Sequence, residues 1–379
     1  MQGINKRKTF IDLFAGCGGL GLGFENAGFE LVFANDIDSV SLETYKRNRS
    51  ISNDKFYCGD INDLIERFTH NFNFGQVDLV VGGPPCQGFS NANRQRLIDD
   101  PRNHLYKSFI MFIKNVSPKI FVMENVKGMA NKIDEIQNDF DVLLNGEYQT
   151  AFNVFKTSDF GVPQLRERLI LIGAKKGIDP SRIIAEILNK SHNYPKFTLR
   201  DAIEDLPVLM PNKIKNNSSI ENSNIGFFET QYLYKNTPYR DFINQGRSVN
   251  ALFNHRNRFN NDRDIEIYRR LPQGADSLHE SIKDIMPYSS RNHIFKDKYY
   301  KLKYDDFCRT ITSHMKFDCN MYIHPTQSRG LSPREAARVQ TFPDDYVFYG
   351  PYNSWYKQIG NAVPVKFAEA IGKVVSEWL

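Results

Sequence analysis

Between residues 8 and 175 the sequence alternates short apolar runs with longer amphipathic segments, and this alternation restricts the fold more than any other feature. The apolar runs include Phe29 to Ala34, Leu79 to Val81 and Lys119 to Met123. Each is too short for a helix and continuous enough for a strand that is covered on both faces. Segment 103–116 instead carries its apolar residues at helical spacing. Strands that alternate with helices predict an α/β fold, a Rossmann-like and mostly parallel sheet with helices on both faces.

The texture of the sequence changes near Gly177, where the alternation stops. Asn, Lys, Arg, Ser and Tyr dominate the stretch that follows, and residues 212–224 are almost free of apolar side chains. One compact helix is expected at 262–271, just before a Pro-Gln-Gly turn. This region therefore predicts a second, less regular domain.

Regular structure is expected again near the C-terminus. Ser332, Pro333 and Glu335 form a helix start signal, with an N-cap, a proline at the first helical position and a capping-box glutamate. The segment 364–379 places apolar residues three or four apart, which predicts an amphipathic helix. The expected domains are an α/β domain at 1–176 that 352–379 completes, and a smaller irregular domain at 177–351 that includes the segment 331–346.

Composition excludes some classes of protein. The chain has 379 residues, and lysine plus arginine exceed the acids by 49 to 44, a net charge of +5 that permits nucleic acid without demanding it. No run of about 18 apolar residues predicts a membrane span, and the N-terminus lacks the apolar core of a secretion signal. The five cysteines form neither a CxxC pair nor a cluster with histidine, so we expect no metal site and a reducing cytoplasm. These cysteines are Cys17, Cys58, Cys86, Cys308 and Cys319.

A glycine-rich turn lies between the first predicted strand and the first predicted helix. Gly16, Gly18 and Gly21 match the dinucleotide-binding pattern, and Asp36 follows near the expected distance. The glycines let backbone amides approach a negative group, and a methionine carboxylate would serve as well as a pyrophosphate. Asp36 and Asp60 follow successive strands, which suits an adenosine ligand. Taken singly, the pattern fits a structural turn equally well, and each acid fits a solvated turn or an N-cap.

Cys86 follows the apolar strand 79–81 on a turn stiffened by Pro84 and Pro85. Chemistry in open α/β sheets lies at the carboxyl ends of the strands. A thiol held there suggests a nucleophile, whereas a lone cysteine is more often a small core residue. Glu124 ends the next strand, and a carboxyl group beside a thiol suggests covalent catalysis with acid assistance. The alternative for Glu124 is an N-cap or a solvated acid.

Two basic patterns suggest anion contacts. Gln164, Arg166 and Arg168 share one face at period two, where two guanidinium groups are able to grip a carboxylate or a phosphate together. An exposed edge strand is the alternative. Farther along, basic and aromatic residues interleave from 240 to 303, as in His255-Arg256-Asn257-Arg258-Phe259, which suits DNA contact. A solvated charged face is the alternative there.

Taken together and in order, these motifs resemble the bacterial type of DNA (cytosine-5)-methyltransferases, and the resemblance covers nearly the whole chain. Asp36 stands where some members carry glutamate. The matching segments are Phe10 to Gly19, Asn35 to Asp38, Gly59 to Ile61, Gly83 to Ser90, Glu124 to Val126, Gln164 to Arg168, Arg334 to Pro343 and Gln358 to Pro364.

The resemblance implies S-adenosyl-L-methionine as cofactor and a second domain that recognises the DNA target, with DNA in the cleft between the domains. Ile37 would pack on adenine, and Asn361 would lie near the methionine end. The implied cofactor-binding residues are Phe14, Gly16, Gly18, Gly19, Asp36, Ile37, Asp60, Ile61, Pro84 and Asn361. The implied DNA-binding residues are Gln87, Ser90, Gln164, Arg256 and Arg258.

The family's chemistry also assigns catalytic roles to four residues. Cys86 would add to C6 of a cytosine that has left the duplex, which makes C5 nucleophilic. Glu124 would stabilise the addition near N3, and Arg168 would hold the base O2. Arg166 would position the acid or the catalytic loop. The polar segment from Ser90 to Arg102 would close over the flipped base.

Three other functions remain open at this stage. A transfer RNA cytosine-5 methyltransferase shares the motifs, although the long basic region suits duplex DNA better. A nucleotide-binding oxidoreductase would use the glycine turn but leaves Cys86 and Glu124 unexplained, and a non-catalytic regulator would have no use for either. We expect a monomer that acts on double-stranded DNA, beside a restriction endonuclease that shares its site without a stable complex. The sequence does not give the recognised DNA sequence.

Overall fold

The computed structural model describes residues 7–71, 74–85, 105–215, 220–287 and 298–379, with the backbone alone at 68–71. The strands are β1 (Thr9–Leu13), β2 (Glu30–Asp36), β3 (Phe56–Cys58), β4 (Leu79–Gly82), β5 (Ile120–Val126), β6 (Tyr148–Lys156), β7 (Gln164–Leu165), β8 (Glu167–Lys175), β9 (Gly226–Gln231), β10 (Ala251–Arg256) and β11 (Cys308–Arg309). The helices are α1 (Gly19–Asn26), α2 (Ser39–Arg47), α3 (Ile61–Asn71), α4 (Leu105–Val116), α5 (Ile133–Leu143), α6 (Pro180–Ser191), α7 (Leu199–Ile203), α8 (Pro238–Asn244), α9 (Asp262–Arg270), α10 (Pro333–Val339), α11 (Tyr352–Asn361) and α12 (Val365–Glu377).

Seven strands form one sheet in the order β3-β2-β1-β4-β5-β8-β6. The strands from β1 to β5 run parallel to their neighbours, whereas β8 runs antiparallel to both β5 and β6. The α/β class and the mostly parallel sheet are therefore confirmed. The carboxyl ends of β1, β2, β4 and β5 share one edge, and the predicted site residues are concentrated there.

The two faces of β1 differ in chemistry. Ile11 and Leu13 belong to a large apolar core that also contains α4 and α5 side chains such as Phe109 and Phe140. Asp12 alternates with these two residues and is also fully buried. A carboxyl group on the covered face of a central strand is unusual, and its surroundings are described below.

The chain divides into two compact units. The first contains Met1–Gly161, Glu167–Pro195 and Val363–Leu379, and the second contains Val162–Arg166 and Lys196–Ala362. These boundaries differ from the domain limits expected from the sequence, which are 176 and 352. The reason is packing, because α6 contacts β6 and β8 in the first unit, while α11 contacts α10 in the second.

The second unit has little regular structure. Strands β9 and β10 pair as an antiparallel ribbon, and α9 lies over a small core that contains Leu271, Ile282 and Ile323. The helix expected at 262–271 is present, and so is the capping box that starts α10 at Ser332. None of the helices in the described ranges is long and apolar enough to cross a membrane.

Candidate active site

The glycine turn after β1 has one open side and one packed side. Gly16 and Gly18 have φ of 55° and 82°, left-handed conformations that favour glycine. A Cβ atom on Gly18 would lie 2.7 Å from the Tyr45 ring, whereas one on Gly16 would meet nothing within 4 Å. Gly21 is packed as well, since its Cβ would lie 2.0 Å from the Tyr45 hydroxyl. The turn is therefore accessible at Gly16, whereas Gly18 and Gly21 pack against the Tyr45 side chain.

The acids after β2 and β3 are fastened to the backbone. Asp36 accepts hydrogen bonds from the Gly16 N–H and the Asp38 N–H, both at 2.7 Å, which ties the glycine turn to the end of β2. The Oδ1 atom of Asp60 accepts from Asn62 at 2.8 Å at the start of α3. Two carboxylates are thus held at one sheet edge, as the sequence predicted.

Apolar groups near these acids have different environments. The Ile37 side chain is 71% exposed, while Ile61 is only 3% exposed and belongs to the apolar core. Helix α3 turns the Ile61 side chain inward, and Ile61 stays a prediction as a cofactor-binding residue. Phe14 has a positive φ of 54° and packs partly against the same core.

Glu124 and Arg168 form an ion pair on neighbouring antiparallel strands, with 2.7 Å between Arg168 Nε and Glu124 Oε1. Their side chains retain 11% and 14% exposure, so the pair is largely but not fully removed from solvent. Burial lowers the pKa of Arg168, and the Glu124 carboxylate opposes that shift. Arg168 also donates to the Glu167 carbonyl at 2.7 Å, which leaves the guanidinium with a fixed orientation.

The proline turn lies directly beside this pair. A Cβ atom on Gly83 would lie 3.2 Å from Glu124 Oε2. The Asn125 side-chain amide donates to the Pro84 carbonyl at 2.9 Å, and Asn125 is buried. The turn is therefore fastened to β5 at Pro84. Cys86, Gln87 and Ser90, and the expected closing segment up to Arg102, lie outside the described residues.

With this geometry in hand, comparison with known proteins identifies the chain. The model of the C-5 cytosine-specific DNA methylase family matches residues 8–377. The chain belongs to this family. Its enzymatic class is therefore DNA (cytosine-5)-methyltransferase, as the sequence motifs indicated.

Individual relatives agree with the family assignment. The methylase is 33% identical to the type II methyltransferase M1.HphI of Haemophilus parahaemolyticus, over 97% of this chain and 86% of that protein. It is 31% identical to M.DdeI of Desulfomicrobium norvegicum, over 97% and 88%. Among solved structures, a candidate DNA modification methyltransferase encoded within an Escherichia coli prophage has a TM-score of 0.75 at 28% identity, over 98% and 99% of the two chains. The Dnmt2 methyltransferase of Schizosaccharomyces pombe, at 17% identity and a TM-score of 0.53, shares the fold.

The methylase does not use Arg166 and Arg168 as one anion grip. Arg166 is 3% exposed and donates to the carbonyls of Ile311 at 2.8 Å and Ala362 at 3.1 Å. Gln164 is fully buried, and its amide bonds to Val339 and Ile311. The prediction of a single basic face was therefore wrong, because the chain passes between the two compact units at this motif. The expectation that Gln164 binds DNA is also wrong, because its side chain is fully buried and bonded within the protein.

Arg256 and Arg258 are also engaged within the second unit. Arg256 is 5% exposed and lies 3.6 Å from the Glu221 carboxylate. Arg258 donates to the carbonyls of Met315 and Phe317, both at 2.8 Å. Both guanidinium groups therefore support the protein's own backbone and charges, and their assignment to DNA phosphates or bases is corrected. Their basic and aromatic sequence context gave no sign of this, because it reports composition and not burial.

Three residues of the site had no role in the sequence analysis. Asn125 anchors the proline turn, and its position directly after Glu124 was the available signal. Asp12 and Tyr45 lie under the glycine turn, and only the strand pattern of β1, with a carboxyl group between two core residues, hinted at them. Asn361 lies at the exposed end of α11 in the second unit and stays a prediction as a cofactor contact.

Proposed function

We propose that this methylase transfers a methyl group from S-adenosyl-L-methionine to C5 of a cytosine within a specific sequence of double-stranded DNA. The observation that carries the proposal is the Glu124–Arg168 pair beside the Gly83–Pro85 turn, which leads directly into Cys86. This arrangement supplies an oriented acid next to the segment that bears the candidate nucleophile.

The carboxyl edge of the sheet fits the proposed cofactor. Gly16 leaves its side of the turn open, and the carboxylates of Asp36 and Asp60 are held at adjacent strand ends. The exposed Ile37 side chain offers an apolar surface for an adenine ring. We propose that these four residues, with Phe14, Gly18, Gly19 and Pro84, hold S-adenosyl-L-methionine. When bound, it supplies an electrophilic methyl group.

The protein's own residues prepare the cytosine. The Cys86 thiolate forms a bond to C6 of the base, and the electron pair displaced toward C5 makes that carbon nucleophilic. Glu124 shares a proton at N3, which stabilises the adduct. Arg168 orients Glu124 and holds the base O2. After C5 has accepted the methyl group, a base removes the C5 proton, and the bond between Cys86 and C6 breaks to restore the aromatic ring.

The other thiols support the choice of Cys86. Burial raises the pKa of the Cys17 thiol to about 12 and raises the pKa of Cys308 and Cys319 as well. A thiolate is therefore disfavoured at these three positions. Cys58 is exposed but ends β3, at the far side of the sheet from Glu124.

The alternative functions have less support. A nucleotide-binding oxidoreductase has no need for the Glu124–Arg168 pair, and the family membership speaks against it. The structural likeness to Dnmt2, at 17% identity, bears on the fold alone and lends no weight to a transfer RNA substrate.

We further propose that the second unit, with its long irregular segments between β8 and α10, reads the DNA target. The type II methyltransferases among the relatives support a role in restriction and modification, with a restriction endonuclease that acts on the same site independently. Among the described residues, Cys17, Cys58, Cys308 and Cys319 form no disulfide, which supports a reducing cytoplasm. We expect a monomer.

One experiment tests the reaction, the base and the nucleophile together. Wild-type enzyme is incubated with cofactor and duplex DNA that contains 5-fluorocytosine, which has no removable proton at C5. A covalent complex stable to denaturant is expected in wild type and absent in Cys86→Ser, while both proteins retain DNA binding. Methylation by Cys86→Ser at the wild-type rate would overturn the proposed nucleophile. Methylation sequencing of DNA from a methylation-free host then gives the target sequence.

A further inference from the structure

A set of polar side chains is buried beneath the glycine turn, on the side opposite to the open face at Gly16. Asp12 and Tyr45 are both fully buried, and the Arg49 side chain is 5% exposed. They come from β1, from α2 and from the residues just after α2. Burial of three polar groups in one place costs free energy unless they bond to each other or to the backbone.

Arg49 connects three parts of this region. Its guanidinium pairs with Glu25 of α1 at 2.6 Å and donates to the Gly18 carbonyl at 3.4 Å. It also donates to the Tyr45 carbonyl at 3.2 Å and lies 3.9 Å from the centre of the Tyr45 ring. The Arg49 side chain therefore fixes the carbonyl of Gly18, which caps α1, as well as α1 itself through Glu25 and the Tyr45 ring below the turn.

Tyr45 fills the space that the glycines leave. A Cβ atom on Gly18 would lie 2.7 Å from its ring, and one on Gly21 would lie 2.0 Å from its hydroxyl. The hydroxyl donates to Asp12 Oδ2 at 3.0 Å. Because Gly18 has a φ of 82°, the turn has a conformation that other residues rarely adopt, and the ring supports it from below.

Asp12 is the least satisfied member of the set. Its Oδ1 atom is buried and has no hydrogen-bond partner among the described residues. Burial raises the pKa of Asp12 to about 7, while Tyr45 and Arg49 act to lower it and Glu25 and Asp36 act to raise it. The Tyr45 hydroxyl is therefore an important compensation for burying this carboxyl group.

We propose that Tyr45 and Arg49 are positioning residues for the cofactor: they hold the glycine turn, through Gly18, in the conformation that presents the open side of Gly16 to the ligand. Asp12 fixes the Tyr45 ring from the opposite end. This inference rests on the proposed use of S-adenosyl-L-methionine at the glycine turn. It adds that cofactor affinity depends on groups that never touch the cofactor.

The test uses two conservative substitutions in the full-length protein. Tyr45→Phe keeps the ring under Gly18 but removes the hydrogen bond to Asp12. Arg49→Lys keeps the positive charge, but an ammonium group lacks the planar fork of donors with which Arg49 bonds Glu25 and the Gly18 carbonyl at the same time. The matched control is Arg47→Lys, two residues away, where the arginine is 55% exposed and pairs with the half-exposed Glu43.

The expected effect is specific to the cofactor. Both variants should raise the Kd for S-adenosyl-L-methionine, measured by titration calorimetry, by about tenfold, the equivalent of one well-formed hydrogen bond. The KM for cofactor should rise by the same factor. The KM for DNA, and kcat at saturating cofactor, should stay within twofold of wild type, as should every constant of Arg47→Lys.

Amide hydrogen exchange supplies a readout that does not require turnover. Exchange should accelerate about tenfold in peptides that cover residues 15–22 and stay unchanged in peptides from α12. Variants with unaltered cofactor Kd would overturn the inference, and so would parallel increases in the KM values for cofactor and DNA. Wild-type protein that fails to bind S-adenosyl-L-methionine would instead overturn the proposed function, so the two failures are distinguishable.

Discussion

The two compact units use arginine in different ways. In the first unit, Arg168 bonds to one carboxylate at the sheet edge, and the pair keeps some access to solvent. In the second unit, Arg338 is fully buried and bridges two carboxylates, Asp205 and Asp344. The first arrangement leaves the Glu124 carboxylate within reach of a ligand. In the second arrangement both carboxylates are buried and bonded to Arg338.

The neighbours of Arg338 follow the same pattern. Arg329 is fully buried and pairs with Glu335 through two contacts of 2.7 and 2.6 Å. Arg334, also buried, donates to the carbonyls of Phe253, Pro343 and Tyr346. The charged motif at the start of α10 therefore fastens loops of the second unit together. The charged motif around Arg168 therefore leaves an acid partly exposed at the sheet edge, whereas the charged motif at the start of α10 is fully buried and supports the protein, and burial distinguishes the two motifs.

The largest effect is expected at Glu124. Glu124→Gln keeps the shape of the side chain but removes the carboxylate that pairs with Arg168 and exchanges a proton with the base. The rate of methyl transfer in a single turnover on duplex DNA should fall by about 10² to 10⁴. Glu167→Gln is the control, since its exposed carboxylate pairs with Lys127 at 3.0 Å, and its rate should stay within twofold. Equal losses in both variants would remove the distinction drawn for Glu124.

A loss of stability, not of chemistry, is expected at Arg338. Arg338→Met leaves Asp205 and Asp344 buried without their common partner and should lower the free energy of unfolding by about 3–5 kcal/mol. Arg247→Met, which breaks a half-exposed pair with Asp345, should cost at most about 1 kcal/mol. Urea unfolding followed by tyrosine and tryptophan fluorescence measures both. A stability for Arg338→Met as close to wild type as that of the control would contradict the supporting role.

The units should also respond to pH with opposite sign. Burial lowers the pKa of His255 to about 4, so the folded protein resists a proton that the unfolded chain accepts below about 6.5. Stability should therefore fall by about 3 kcal/mol as pH falls through that window, and His255→Gln should flatten the curve.

Asp12 acts against this trend. Burial raises its pKa to about 7, so its contribution is present below about pH 4 and is lost as pH rises to 7. Asp12→Asn should therefore steepen the net gain in stability between pH 4 and 6.5. Urea titrations across this range measure both curves, and the same change in slope from the two variants would contradict the assignment.

The smallest effect is expected in DNA binding by Arg258→Met. Since Arg258 holds the carbonyls of Met315 and Phe317, its loss should lower stability by about 1–3 kcal/mol. The dependence of DNA affinity on salt should remain unchanged, whereas loss of one phosphate contact would reduce the slope by about 0.9. A reduced slope at unaltered stability would restore Arg258 as a DNA contact.

Much of the first unit was predictable because its signals are local. Apolar runs and helical spacing gave the strands and helices up to Lys175, and the capping box at Ser332 gave the start of α10. Acids at strand ends gave the positions of Asp36, Asp60 and Glu124. The split of Gln164 and Arg166 from Arg168 was not predictable, because period two assumes one continuous strand, and the chain leaves the sheet between them.

The sequence by itself determined the order of the elements and the chemical class of the enzyme, and it proposed the residues of the site, because these depend on residue type and spacing along the chain. Only the tertiary structure decided which charges face a ligand and which face each other. Arg168 and Arg258 are the same residue type in similarly basic segments, yet one is paired with Glu124 at the sheet edge and the other holds two backbone carbonyls. The reason is physical: the free energy of a charge depends on its burial and its partners, and residues far apart in the sequence supply both.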